Sequence, residues 1–193
     1  MEQKEIRYAS VSDRFFASGI DLGLLYFIVV PLSIVIFSIF FPEGDIIQQA
    51  TQMAIAKQPE LKNHSDQILS YIIDKHPEMF VAIMHQYLAK CVIQISIIGA
   101  FVIPFIHYKG ATPGKMLVGI KVVDSITQQK ISLSQSIIRF LGYIPAAGAL
   151  GLGILWAAFN KRKRGWHDYL ADTVVILDEN RWYKRLWNKI LGR

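Results

Sequence analysis

A single cysteine, Cys91, in 193 residues leaves no intramolecular disulfide framework and no cysteine-rich zinc site to expect. Charge is scarce too: 19% of residues are charged against 52% apolar. An ordinary soluble domain does not carry that balance, and a disordered chain carries far fewer apolar residues. Histidine is limited to five positions. No H-E-x-x-H, nucleophile elbow or dinucleotide fingerprint is present. The His167-Asp168 dipeptide could suggest a metal phosphohydrolase, but the further His and Asp ligands that reading needs do not accompany it. The expectation is therefore no enzyme, no metal and no cofactor. The formal charge of +6 points to nucleic acid or to anionic lipid, and the placement of the bases decides between them.

The apolar residues lie in long runs. Residues 15–42 form 28 positions with one charge, Asp21. At about 1.5 Å per residue that run exceeds a hydrocarbon core of about 30 Å, so a transmembrane helix is expected. It is too long for a signal-peptide core, and no A-x-A site follows before Pro42. Residues 91–108 are uncharged and make a second span, which extends back to Ala82 if Lys90 is tolerated. Residues 140–159 make a third candidate, dense in small side chains.

Charge gives the sidedness. Residues 109–139 hold five basic and one acidic side chain, residues 160–193 nine and four, and residues 43–80 three and six. Both basic regions are assigned to the cytoplasm and the acidic loop outside, with both termini inside. One full crossing by residues 140–159 would put the two basic regions on opposite sides. The segment therefore re-enters as a hairpin broken at Gly142–Pro145, crosses once against the charge rule, or lies low in the bundle. Re-entry or embedding is preferred, because irregular backbone is tolerated at membrane depth when protein covers it.

Outside the spans, residues 45–57 and 65–75 read as short helices with apolar stripes (Ile47, Ala50 and Ala54; Ile68, Leu69, Ile72 and Ile73) that would form a small cap. Lys109 to Lys115 lacks P-loop spacing and offers no phosphate cradle. Met116 to Asp124 is expected to pair with Lys130 to Leu133 as a short cytoplasmic hairpin. In the tail, Trp182, Tyr183, Leu186, Trp187, Ile190 and Leu191 share one helical face rimmed by Arg181, Lys184, Arg185 and Lys189, the pattern of an interfacial helix. Lys115, Arg139, Lys161, Arg162, Lys163, Arg164, Trp182 and Arg185 are the candidates for anionic headgroups. Nucleic-acid binding is not expected, since no aromatic platform or recognition helix accompanies these bases.

Asp21 is the costly residue. A carboxylate in hydrocarbon costs about 2.5–3.5 kcal/mol on insertion scales, so it must face protein or water, bind a cation or take up a proton. Arg14 lies two turns away on the same face and can snorkel to the interface. Arg14, Lys90, Arg139 and the His167-Asp168 pair are candidate partners. Arg14, Asp21, Lys90, Arg139 and Asp168 thus form the expected polar centre, with His167 and Asp172 as further members. Gly19 and Gly23 make a G-x-x-x-G on the opposite face, and Ala149, Gly153 and Ala157 a small-residue stripe, both read as close helix packing.

These residues together resemble the RDD family of multi-pass membrane proteins, named for one arginine and two aspartates. Arg14-Phe-Phe-Ala-Ser-Gly-Ile-Asp21 is similar to its first block. Thr112-Pro-Gly-Lys115, Val122-Val-Asp124 and Gly165-Trp-His167-Asp168-Tyr-Leu-Ala-Asp-Thr173-Val-Val are similar to its later ones, with Asp168 as the second aspartate. Asp172 departs from the family, which usually has Gly before the Thr. The resemblance implies architecture, with transport, including cation/proton antiport for some members, as the role suggested for the family.

The expected fold is an all-α membrane protein, a small helical bundle. It has two transmembrane helices, a third membrane-embedded segment, a short cytoplasmic β-hairpin and a C-terminal interfacial amphipathic helix. Residues 1–176 form one domain carrying an extracytoplasmic helical insertion at 43–78, and residues 177–193 the basic tail. The expected function is that of an inner-membrane transporter or transporter component for an ion or small solute, centred on Asp21. It would act as a homo-oligomer or with another membrane protein. The alternative is a non-transporting scaffold or partner subunit that binds anionic lipid or another membrane protein.

Overall fold

The computed structural model describes residues 7–178 and is mostly helical. The tail positions Trp182 and Arg185, with the interfacial helix expected there, lie outside the described residues. Two helices are long and apolar enough to cross a membrane. The first, α1, runs Val11–Phe40 and the other, α4, runs Pro77–Lys109, about 45 and 50 Å at 1.5 Å per residue. Helix α1 begins four residues before the apolar run, because Ser10 and Asp13 cap it reciprocally. The Asp13 N–H donates to Ser10 Oγ at 3.1 Å and the Ser10 N–H to Asp13 Oδ2 at 2.9 Å, which satisfies donors that a helix start leaves open.

The described residues divide into two compact units, one of residues 28–97 and one of the described residues on either side of them in sequence. In the first, α2 (Ile46–Lys57), a 3-10 turn at Pro59–Asn63 and α3 (Ser65–Lys75) lie between the long helices in sequence. Asp45 caps α2, its carboxylate accepting from the Ile47 N–H. Ala50, Ala54, Leu61, Ile72 and Ile83 form the core of this unit. Ile47, Leu69 and Ile73 of the expected stripes remain exposed. Lys90 is tolerated inside α4 because Asp45 Oδ2 lies 3.2 Å from its Nζ and the rings of Phe37 and Phe41 lie 5.9 and 5.5 Å away.

The other unit holds the rest. After α4 come α5 (Pro113–Val118), β1 (Ile120–Asp124), α6 (Leu133–Gly148), α7 (Leu152–Leu155), α8 (Trp166–Leu170) and β2 (Thr173–Leu177). The expected hairpin with residues 130–133 does not form. Strand β1 pairs antiparallel with β2 instead, Ile120 opposite Leu177 and Asp124 opposite Thr173. Residues 130–133 are needed elsewhere: Ile131 enters the core, and Ser132 with Gln135 makes the capping box that opens α6. The intervening turn is tied by Asp124, whose Oδ1 accepts from the Ile126 and Thr127 N–H groups. Those bonds and the one from Gln135 lower the Asp124 carboxyl to about 2. The chain before α1 joins the far side of β2, with the Ala9 N–H donating to Val175 O at 3.0 Å and the Leu177 N–H to Arg7 O at 2.9 Å. Ala9, Ala17, Ile106, Ile120, Val122, Ile131 and Val175 close the core around this junction.

The break in the third apolar segment also falls later than expected. Helix α6 runs through Gly142 and Pro145 and ends at Gly148, and Leu150 (φ +52) and Gly151 (φ +76) turn the chain through the left-handed region. The two helical parts meet at 114°. Pro145 removes one helical donor, whereas two successive left-handed residues end the helix outright.

Candidate functional site

Asp21 is answered by the start of α5. Thr112 is the N-cap of that helix and Pro113 its first residue, with φ preset for the turn. The Gly114 N–H donates to Asp21 Oδ1 at 2.7 Å and Thr112 Oγ1 to Asp21 Oδ2 at 2.5 Å, and Lys115 Nζ stands 3.6 Å from the same Oδ2. Lys115 Nζ also donates to Thr112 Oγ1 at 3.1 Å. Asp21 therefore acts as the cap that the Thr112 side chain, turned toward it, does not supply. The approach is close enough to require glycine. A Cβ on Gly114 would strike the Ala17 carbonyl oxygen and come within 2.8 Å of Asp21 Oδ1.

Asp168 gathers a second cluster. Gly142 of α6 packs on the backbone of His167, where a Cβ would come within 3.1 Å of the His167 Cα. Gly153 of α7 fits between Ala146 and Trp166. These contacts seat α8 against α6 and bring the Asp168 carboxylate to Arg139. Arg139 Nη1 donates to Asp168 Oδ1 and, at 2.6 Å, to Thr173 Oγ1. Arg14 Nη1 donates to Asp168 Oδ2 at 2.6 Å, and the Gly165 N–H to the same oxygen at 2.9 Å. Arg139 and Asp168 are both 0% exposed. Burial alone would raise the Asp168 carboxyl, but the Arg139 and Arg14 guanidiniums outweigh it and hold the group well below the usual carboxylate range. His167 stacks on Tyr143 with ring centroids 3.9 Å apart. Burial pushes its imidazole down to about 3, Asp168 opposing and Arg139, Arg14 and Lys115 adding to the fall, so the ring is neutral at pH 7.

Of the expected polar centre, Arg14, Arg139 and Asp168 come together, with His167 beside them. Arg14 pairs with Asp168 and not with Asp21, while Lys90 belongs to the other unit and pairs with Asp45. Asp172 touches only the rim: its side chain is 73% exposed and lies 3.3 Å from Arg164 Nη2. Its φ of +48 lies in the left-handed region that favours glycine. The six headgroup candidates among the described residues divide. Lys115 and Arg164 are buried, Arg164 donating to the Asp168 carbonyl at 3.0 Å and standing over the Tyr169 ring. Lys161 and Arg162 are exposed. Lys163 is half-buried and bonds the Ala158 carbonyl, and Arg139 is wholly withdrawn into the Asp168 cluster. Nothing among the described residues lies within 4 Å of a Cβ placed at Gly19 or Gly23, so no helix packs on that G-x-x-x-G. Ala149 caps α6 at the break and shares no continuous helix with Gly153.

Sequence reasoning missed Thr112, Gly114 and Thr173 as partners. The Thr-Pro-Gly-Lys run carried the signal, since an N-cap followed by Pro at the first helical position exposes N–H donors that suit a carboxylate. Between the two clusters lies a cavity of about 330 Å³, lined by Arg14, Lys115 and Arg139 and by apolar residues that include Phe15, Ile154 and Leu155. Among the described residues, Arg14 Nε and Nη2, Arg139 Nε and His167 Nδ1 find no hydrogen-bond partner. Spare capacity here is donor capacity, apart from the one neutral imidazole nitrogen.

An uncharacterized protein of Rickettsia prowazekii (strain Madrid E) is 30% identical to the chain over 180 residues, which is 90% of this chain and 98% of that one. No solved structure matches. The arginine at the start of α1, the aspartate two turns on and the aspartate of α8 each sit in a built polar cluster, and residues 8–172 match the RDD family as a whole, so the chain belongs to the RDD family and is a membrane protein.

Proposed function

We propose that the protein is a transporter or transporter component for a small anionic solute, acting at the cavity beside Arg14, Lys115 and Arg139. Asp21 and Asp168 assemble this centre in our reading; neither is the group that exchanges. The observation that carries it is the charge balance. Three cations line the cavity, whereas both carboxylates already accept from donors on both oxygens. A cation bound at Asp21 would have to displace Thr112 and Lys115. An anion would meet surplus positive charge and donors. The proposal involves no covalent step and no enzyme activity.

The same reading includes a topology. Residues 7–9, β1 and β2 are hydrogen-bonded to one another, and paired strands share one side of a membrane. The chain between Asp124 and Thr173 then enters and returns, the bend at Leu150 and Gly151 being its turning point. The side that carries the bases of residues 109–139 is the cytoplasmic one by the positive-inside rule, in the inner membrane.

Purified protein in liposomes tests the function. Uptake of small anions is expected, and Lys115→Gln should abolish it while leaving the protein monodisperse. Cation-coupled proton flux lost in Asp21→Asn, with no anion uptake, would refute the proposal in favour of exchange at the carboxylate. A second reading, a non-transporting scaffold, is supported by the exposure of Leu22, Tyr26 and Phe27 on α1 and by the open Gly19 and Gly23 face. It predicts a stable oligomer or a co-purifying membrane partner and no flux of any ion.

A further inference from the structure

The clusters around Asp21 and Asp168 account for the charge of the cavity and leave its walls unexplained. Beside the three cations the lining includes Phe15, Ile154 and Leu155, which are 75%, 42% and 53% exposed. A site for a small hydrated anion gains nothing from such a wall, since apolar surface offers an inorganic ion no partner and exposing it to water is costly. The polar side lacks acceptors. Both Asp168 oxygens and both Asp21 oxygens are taken, while Arg14 and Arg139 retain N–H groups without partners. The missing complement is negatively charged and rich in acceptors at one end, and apolar at the other.

We infer that the cavity binds a single-chain anionic amphiphile. Its phosphate or carboxylate head would lie against Arg14 and Lys115, with the buried Arg139 adding charge, and the first methylenes of its chain along Phe15, Ile154 and Leu155. This deepens the proposed function and rests on its premise that the cavity takes an anion. The size agrees: about 330 Å³ is at the lower end of ligand pockets, roughly 300–1,000 Å³. It accommodates a headgroup and the upper part of one chain and excludes a whole two-chain lipid. Its position at the first turns of α1, beside Val11 and Arg14, is where a lipid headgroup meets a spanning helix. Guanidinium groups suit the head better than a lone ammonium does, because their fork matches phosphate and carboxylate oxygens.

The same chemistry could come from a lipid or from free phosphate, and the test separates them. The full chain, purified in nonionic detergent, is titrated with lysophosphatidic acid, with lysophosphatidylcholine of the same chain length and with inorganic phosphate, and read by native mass spectrometry. One equivalent of lysophosphatidic acid should be retained at least about tenfold more tightly than its choline counterpart, which is the effect of one or two charge-assisted hydrogen bonds. Millimolar phosphate should not displace it. Lys115→Gln should weaken retention about tenfold or more. Leu155→Trp, at an exposed position that bears on neither carboxylate cluster, should block retention by filling the apolar side, and it keeps the test independent of variants that unfold. Equal retention of the two lysolipids, displacement by phosphate, or unchanged retention in Leu155→Trp would each overturn the inference. Retention without flux supports the inference and overturns the transport reading. Phosphate flux with no retention of lysophosphatidic acid does the reverse.

Discussion

Replacing Asp168 by Asn removes one charge and almost no volume, so its effect isolates the electrostatics of the α8 cluster. Asp168 is fully buried and accepts from Arg139, Arg14 and the Gly165 N–H. The amide would keep one acceptor oxygen and turn its NH2 toward guanidinium donors. Arg139, also 0% exposed, would be left as a buried cation with no carboxylate to balance it. Stranding a buried charge by removing its partner costs about 3–5 kcal/mol. That is a large share of the roughly 5–15 kcal/mol that holds a typical domain folded. Asp168→Asn should therefore lower the folded yield sharply and shift unfolding in a mixed-detergent titration by that amount.

The double variant with Arg139→Met is the decisive comparison. Removing both buried charges replaces an ion pair by a hydrophobe and an amide, which is often close to neutral. Arg14, with 13% of its side chain exposed, can still reach solvent. The double variant should be no less stable than Asp168→Asn alone, with a coupling energy of about 2 kcal/mol or more, within the range for contacting residues. If the two single losses instead add to within about 0.5 kcal/mol, the pair is not coupled and the account of this cluster fails.

Gly114→Ala should destabilise by about 1–3 kcal/mol, the usual cost of overpacking, because its Cβ would collide with the Ala17 carbonyl; a thermal-shift assay that finds Gly114→Ala unchanged would mean that α5 does not dock on α1 this closely. His167 has a folded value of about 3 against an ordinary 6.5, so the unfolded chain takes up a proton first. Its contribution is complete above pH 6.5 and is lost as pH falls toward 3; the melting temperature should drop from pH 7.5 to pH 5, and His167→Phe should flatten that slope. Asp172→Gly should change stability by less than about 1 kcal/mol, since relief at φ +48 offsets loss of an exposed contact with Arg164, whereas Asp172→Val should cost about 1–2 kcal/mol by chemical unfolding. In a Cys91→Ser background, single cysteines at the exposed Ser134 and Lys161 should react with a membrane-impermeant maleimide from the same side; labelling from opposite sides would establish a third crossing.

The sequence made the spans legible because length and hydropathy act locally: 28 residues with one charge have few other places to go. It marked Arg14, Asp21, Lys90, Arg139 and Asp168 as groups needing polar partners because buried charge must be answered, but only Arg14, Arg139 and Asp168 meet in one cluster. Who answers whom was out of reach. Helical phase placed Arg14 over Asp21, but a backbone N–H and a hydroxyl some ninety residues on satisfy Asp21, and peptide donors leave no composition signal. The strand pairing failed for a related reason. A nearby partner is favoured by loop entropy, and residues 130–133 looked strand-like in isolation. Ser132 and Gln135 nevertheless committed them to a helix cap, and the Val-rich run at 173–177 offered β1 a longer apolar partner. By rule the break in the third segment is expected at Gly142–Pro145. A proline within a helix costs one hydrogen bond, and packing on His167 and Trp166 outweighs that cost.

Neutralising the two aspartates explains why an acidic residue can stay in the first span, and it also changes what the site can bind. Each carboxylate is matched by at least one cation, Asp21 by Lys115 and Asp168 by Arg14 and Arg139. Three cations against two carboxylates leave one positive charge uncompensated beside an apolar cavity. In a low-dielectric setting that residual charge is felt strongly, and no further carboxylate among the described residues cancels it: Asp172 is turned outward toward Arg164, itself a further base at the edge of the cluster. The aspartates that make α1 tolerable in a membrane are thus, in our reading, the means by which the fold holds three bases together at its edge. A ligand of negative charge completes that balance, and a cation would add to the excess.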